Sequence, residues 1–230
     1  MKIDSKSKKI NKAWINDHVN DPYVKLAHRE GYRARAAYKL KEIDEALGLI
    51  KPGQVVVDLG SAPGAWSQYL RRRFAPRSAG TGGAAVGELM GTIIALDILP
   101  MDPVADVVFV PGDFREQEVA DQLGAALGGA KADLILSDLS PNLSGIAVAD
   151  AARGLHLLEL ALEFALLHLK PGGTLLVKAF QGSGFSQFVA ELKKHFASVA
   201  TRKPAASRAE SAETYLLARR FKGSPGAQSA

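Results

Sequence analysis

The sequence predicts an α/β fold, a mostly parallel sheet with helices on both faces. Three observations carry this. From residue 55 onward, strand-like apolar runs alternate with helix-periodic segments. The first run, "VVVDL" at 55–59, is apolar with little alternation, as expected of a strand covered on both faces. Acids recur where runs end, at Asp58, Asp97 and Asp138, and in such sheets the carboxyl ends of strands hold the ligand.

The elements follow in order. Tyr23 to Leu47 is helical with a break near Gly31; Ala37, Leu40, Ile43 and Leu47 keep a helix period, and Gly48 stops it. Pro52-Gly53 marks a turn before the first strand. Ala65–Phe74 is a helix, "GTIIALDIL" a second strand and "DVVFVPGDF" holds a third. "EQEVADQLGAAL" is helical, and "ADLILSDLSP" is a fourth strand ending in an acid and a proline. A long helix is expected over Asp150–Leu169, a fifth strand in "KPGGTLLVKAFQG" and a helix in "FSQFVAELKKHF". "ASVATRKP" and "AETYLLARRF" read as two closing strands.

The 230 residues fit a single large domain over 21–222. Residues 1–20 read as a basic, loosely ordered segment, and 223–230 as a disordered tail. The Gly/Ala/Ser-rich stretch at about 76–90 has no period; it reads as a flexible surface insertion or, alternatively, a lid. There is no cysteine, hence no disulfide and no thiolate ligand or nucleophile. The N-terminus lacks the apolar core of a signal peptide, and the apolar stretch "LHLLELALEFALLHL" is interrupted by His156, Glu159, Glu163 and His168. A cytoplasmic monomer with no membrane span is expected. The five histidines show no metal-ligand spacing, so no metal is expected.

The net charge is +5 and its location is informative. Residues 1–51 hold nine lysines and three arginines against four aspartates and three glutamates; the remainder is neutral. A basic segment on a neutral domain points to a polyanion, RNA or DNA first. For Lys2 to Lys12 alone, a solvated tail is the competing reading.

"GSAPG" at 60–64 lets a ligand reach backbone and a helix N-terminus, but it lacks the second glycine of the dinucleotide fingerprint. The ligand is therefore expected to carry no bridging phosphates, which speaks against a nicotinamide oxidoreductase. Asp97 is placed for ribose hydroxyls, and Asp113 for an exocyclic amine or ring edge. Several carboxylates around one pocket suit a cationic, sulfonium nucleoside. Each acid alone fits a helix cap equally well.

"DLGSAPGAWSQYL", "LDILPMDP", "GDF", "SDLSPNLSG", "VKAFQG" and "SRAESAETY", with "GYRARAAYKLKEID" before them, resemble the FtsJ/RlmE-type ribosomal RNA 2′-O-methyltransferases in content and order. The likeness runs from about Trp14 to Phe221. It implies a Rossmann-like seven-stranded methyltransferase fold with the last strand antiparallel. It also implies S-adenosyl-L-methionine as donor, and as substrate a uridine 2′-oxygen of large-subunit ribosomal RNA in the assembled 50S subunit. The family's catalytic set falls on Lys39, Asp138, Lys178 and Glu213, with Lys178 as proton acceptor; Glu210 competes with Glu213 for the last place. Its donor site falls on Gly60, Gly64, Trp66, Asp97, Asp113 and Asp138. The Trp66 indole is expected to support the loop by packing. Ala65 stands where a second glycine is common.

A ribose hydroxyl must lose its proton as it attacks, so the acceptor must be a neutral amine. Burial and a second cation at Lys39 favour neutrality for Lys178; Asp138 opposes it. A purely structural Lys178–Asp138 ion pair is the competing reading. Arg33, Arg35 and Lys41, beside Lys39, are expected to meet RNA phosphates. A noncatalytic RNA-binding or ribosome-assembly protein is the alternative function. All four catalytic positions being filled argues against it.

Overall fold

The structure, a computed structural model, describes residues 20–75, 89–142, 144–208 and 211–223. The segments expected to be a loosely ordered start and a disordered tail fall almost wholly outside these residues. So do Glu210 and nearly all of the expected insertion.

Two helices precede the sheet, α1 (Pro22–Glu30) and α2 (Ala37–Leu47). Asp21 caps α1 by accepting the Tyr23 N–H at 2.9 Å, and Pro22 opens it, where its missing N–H costs nothing. Gly31 ends α1 at φ 68°, the break anticipated within 23–47, and Gly48 ends α2 at φ 58°.

The sheet alternates with the remaining helices: β1 (Val55–Leu59), α3 (Ala65–Phe74), β2 (Thr92–Asp97), β3 (Val107–Pro111), α4 (Gln117–Ala126), β4 (Ala132–Ser137), α5 (Ala147–His168), β5 (Leu169–Phe180), α6 (Phe185–His195), β6 (Phe196–Arg202) and β7 (Glu213–Phe221). Spatial order is β3-β2-β1-β4-β5-β7-β6. Strands β1 to β5 pair in parallel, and β7 is antiparallel to both β5 and β6. This is the expected seven-stranded, mostly parallel sheet with its last strand reversed.

Successive residues of the central strands enter opposite cores. Val57, Leu59, Ile94, Leu96, Ile135 and Val177 pack with residues of α4, α5 and α6. Val56, Ile93, Leu134, Leu136, Leu176 and Leu217 pack with α2 and α3. Coverage on both faces explains why the runs show little alternation.

Among the boundaries that differ from expectation, two do so for a visible local reason. Helix α5 starts at Ala147 rather than Asp150. Asp150 lies in its first turn and reaches back to accept the Ser144 and Gly145 N–H groups at 2.8 and 3.0 Å. Strand β2 ends at Asp97 instead of running on to Leu99, because the Asp97 carboxylate takes the Leu99 N–H at 2.8 Å and turns the chain.

Chain order reverses between β1 and β4, whose neighbours lie on opposite sides. The crevice opens at their carboxyl ends. Backbone bonds from Gly60 N to Leu96 O and from Asp138 N to Leu59 O, both 2.9 Å, hold the loop bases together there.

Candidate active site

The polypeptide leaves β1 through Gly60 at φ 77°, where a Cβ would lie 2.8 Å from the Leu139 nitrogen. Gly64, at φ 102°, opens α3; a Cβ there would meet Arg33 Nη1 at 2.6 Å and Met101 Sδ at 3.0 Å. Only glycine combines this backbone with such closeness. The sequence pointed to close approach by a ligand; the structure shows that the protein's own segments press on the loop as well.

A cleft of about 820 Å³ faces this loop. Gly60, Asp97, Asp113, Asp138 and Lys178 line it; Gly64 and Trp66 do not. Asp97 is 9% exposed and fixed by the Ala62 N–H on Oδ2 (2.9 Å) and the Leu99 N–H on Oδ1 (2.8 Å). Each oxygen retains a lone pair for a ligand hydroxyl. Asp113 is gripped by Arg115, Nε lying 2.9 and 3.0 Å from its two oxygens, and this hydrogen bonding holds its carboxyl below the usual range. Trp66 is buried: its Nε1 donates to Ala36 O at 2.8 Å and its ring packs on Tyr215. The indole thus supports the loop from behind.

Lys178 and Asp138 meet at the cleft wall. Lys178 Nζ donates to the Asp138 carbonyl at 2.6 Å and lies 3.3 Å from its Oδ1. The Lys178 side chain is 8% exposed. The same Oδ1 accepts the Tyr215 hydroxyl at 2.7 Å. Burial first, then the charges of Asp138 and Glu213, push the Tyr215 phenol far up, so it stays a neutral donor. Beside this group, Lys39 Nζ lies 2.7 and 2.8 Å from the two Glu213 oxygens, and Ser207 Oγ donates to Oε1 at 2.8 Å. Burial pushes the Glu213 carboxyl up, but the hydrogen bond and charge of Lys39, with Ser207 and Lys178, more than offset it and hold it low.

Four residues separated by up to 174 positions thus form two adjoining pairs. Pairing of β5 with β7 sets this up: Lys178 lies opposite Tyr215, and Phe180 opposite Glu213.

The three basic residues beside Lys39 are engaged within the fold. Arg33 donates to the carbonyls of Pro63 (3.0 Å), Asp102 and Pro103 (2.7 Å), tying the segment after β1 to the segment after β2. Arg35 pairs with Asp21 and donates to Ala206 O. Lys41 pairs with Glu30 at 3.3 Å and stands over the Tyr38 ring.

Two contributors, Tyr215 and Ser207, were not singled out from sequence, and Asp58 was named only as one of the acids at strand ends. Tyr215 had a readable signal, since two residues along a strand share a face with Glu213. Ser207 opens the motif "SRAESAETY", but its place in a loop gave no sign that it would reach Glu213. Asp58 is fully buried: Oδ2 accepts Ser67 Oγ at 2.7 Å, and Oδ1 has no partner among the described residues. Burial, aided by the charges of Asp138 and Asp97 and opposed by Ser67, pushes its carboxyl up to about 7.

That shift carries a sign. Between the ordinary aspartate range and about pH 7, the native state holds a proton that the unfolded chain has lost. Asp58 therefore makes stability fall as pH rises through this window, and the effect is constant above it. Asp58→Asn is expected to remove this slope, so that its melting temperature gains on the parent's between pH 5 and 8. Parallel melting curves across that window would remove the assignment.

The protein-family model described as FtsJ-like methyltransferase matches residues 32–221. The chain is 65% identical over 217 residues to "Ribosomal RNA large subunit methyltransferase E" of Methylibium petroleiphilum, covering 94% of this chain and 97% of that one. It is 64% identical to the protein of the same name from Leptothrix cholodnii, covering 94% of each. Among solved structures, a putative ribosomal RNA methyltransferase from Plasmodium falciparum superposes with a TM-score of 0.70 at 30% identity, over 84% of this chain and all of the other. The matched span takes in all seven strands and both lysine–carboxylate pairs, and the chain belongs to the FtsJ-like methyltransferase family.

Proposed function

We propose that this protein transfers a methyl group from S-adenosyl-L-methionine to the ribose 2′-oxygen of a uridine in large-subunit ribosomal RNA, within the assembled 50S subunit. The observation that carries the reading is the buried Lys178 amine, held on Asp138 in the wall of the cleft, with the Lys39–Glu213 pair beside it. The relatives' names support large-subunit ribosomal RNA as substrate.

The cleft suits this donor. It is large enough for a nucleoside with an amino-acid arm. Asp97 offers lone pairs to ribose hydroxyls, Asp113 an edge for the exocyclic amine, and the Gly60–Gly64 loop its backbone. The Asp97 and Asp138 carboxylates in the cleft wall give it a negative field that favours a cation. Bound there, the donor supplies an electrophilic methyl on a positive sulfur.

The chain's own groups then bring up and activate the acceptor. As the 2′-oxygen bonds to the methyl carbon, the carbon–sulfur bond breaks and its electron pair leaves with sulfur. The hydroxyl proton passes to Lys178 Nζ. The Asp138 carbonyl and carboxylate fix that nitrogen, and Tyr215 fixes Asp138. Lys39, anchored by Glu213 and Ser207, stands beside Lys178 and helps to position the acceptor ribose. Orientation of this kind supplies about 7–11 kcal/mol of a barrier. Lys41, held by a 3.3 Å contact with Glu30 and the face of Tyr38, meets RNA phosphates by exchanging that partner. Arg33 and Arg35, whose N–H groups serve protein oxygens, contribute fixed positive charge near the entry.

The test is to map 2′-O-methyl groups in ribosomal RNA from cells with and without the protein. Labelled-methyl transfer in vitro to undermethylated 50S subunits and to protein-free RNA complements it. One uridine should lose its mark without the protein, and subunits should be labelled better than free RNA. An unchanged methylation map overturns the reading.

A further inference from the structure

A second cavity, of about 330 Å³, adjoins the donor cleft and shares Leu139, Pro141, Leu157 and Lys178 with it. It lies between the end of β5 and the first turns of α5 and α6. Its floor is apolar, formed by Leu155, Leu158, Ala179 and Phe185. Its rim carries the Gln181 amide and the Ser183 hydroxyl, exposed groups with no side-chain hydrogen bond among the described residues. Two charged residues touch it. Lys178 is held by Asp138, and Asp150 is engaged by Ser144, Gly145 and Arg153. The cavity therefore presents a greasy slot with a neutral hydrogen-bonding edge.

We infer that this cavity receives the base of the nucleotide being methylated, turned out of its RNA stack. The inference rests on the ribose methyl transfer proposed above. A ribose whose 2′-oxygen reaches Lys178 Nζ must project its base close by, and Lys178 stands in the walls of both spaces. The cavity is at the small end of ligand sites, right for one planar heterocycle and short for a second cofactor. A neutral base with an apolar face and a polar edge matches the floor and the rim. Unstacked bases in RNA are read in this way, by burial of the face and hydrogen bonds to the edge. Gln181 supplies both a donor and an acceptor for the imide-like edge of a uracil.

Ala151, on the α5 wall, allows a filling substitution compatible with a helix. Ala151→Leu is expected to keep donor affinity by calorimetry and to lower kcat/KM on undermethylated 50S subunits by about tenfold or more, since the base is sterically refused. Gln181→Ala, in an exposed turn, is expected to lower it by about five- to tenfold through the lost edge contact. A 4-thiouridine at the methylated position should crosslink to residues 180–185. Normal turnover by Ala151→Leu overturns the inference. Should that variant lose donor binding, unchanged kcat/KM in Gln181→Ala overturns it instead. Failure of the unaltered protein to label subunits removes the proposed reaction and this inference together, whereas labelling that is indifferent to both variants removes this inference alone.

Discussion

Lys178→Ala is expected to bind the donor almost as the parent does, yet to transfer methyl groups about 10²–10⁴-fold more slowly. Lys178 Nζ is anchored on Asp138, and the donor-facing contacts of Asp97, Asp113 and the Gly60 loop do not involve it. Removing the amine leaves binding largely in place and removes the proton acceptor. Lys178→Arg sharpens the test, because a guanidinium keeps the positive charge but accepts no proton at neutral pH. It should be as slow as alanine. Single-turnover rates with saturating donor and subunits make the comparison, with calorimetry for donor affinity. A fast arginine variant would show that Lys178 acts by charge alone, and normal turnover by alanine would remove it from the chemistry.

The second large effect is expected at the Lys39–Glu213 pair, whose side chains are 14% and 12% exposed. Glu213→Ala leaves the Lys39 ammonium with little water and no counter-ion, at a cost of about 3 kcal/mol. For a chain of this size, that lowers the melting temperature by roughly 6–12 °C. Activity should fall with it. The double variant Lys39→Met with Glu213→Leu separates the two roles. Apolar groups of similar volume restore stability, but the charge beside Lys178 is gone and activity stays low. Recovery of activity in the double variant would show that the pair serves packing only. The pair also has a pH signature. Glu213 is held low, so its stabilisation is complete at neutral pH and is lost as pH falls through its folded pKa, below the ordinary glutamate range. The double variant should lack this acid-side loss.

The two rate and stability tests concern groups of unequal visibility in the sequence. Lys39, Asp138, Lys178 and Glu213 could be named because they sit in short motifs whose order resembles a known family. Nothing in their spacing says which lysine meets which acid. In the fold, Lys178 goes to Asp138 and Lys39 to Glu213, an outcome of the β5–β7 register and of how α2 packs over the sheet. Arg33 shows what spacing leaves out. Its place in a basic segment suggested a phosphate partner, and in the fold its guanidinium also meets the carbonyls of Pro63, Asp102 and Pro103.

By itself the sequence determined the alternation of strands and helices, the double coverage of the sheet and the sites of most chain reversals. These depend on local periodicity and on glycine and proline, which act within a few residues. Tertiary structure alone decided the carbonyl partners of Arg33, the burial of Asp58 beside two other acids and the cavity next to Lys178. Each of these is a meeting of segments far apart in the chain, and such meetings are set by strand order and register, which no local pattern encodes.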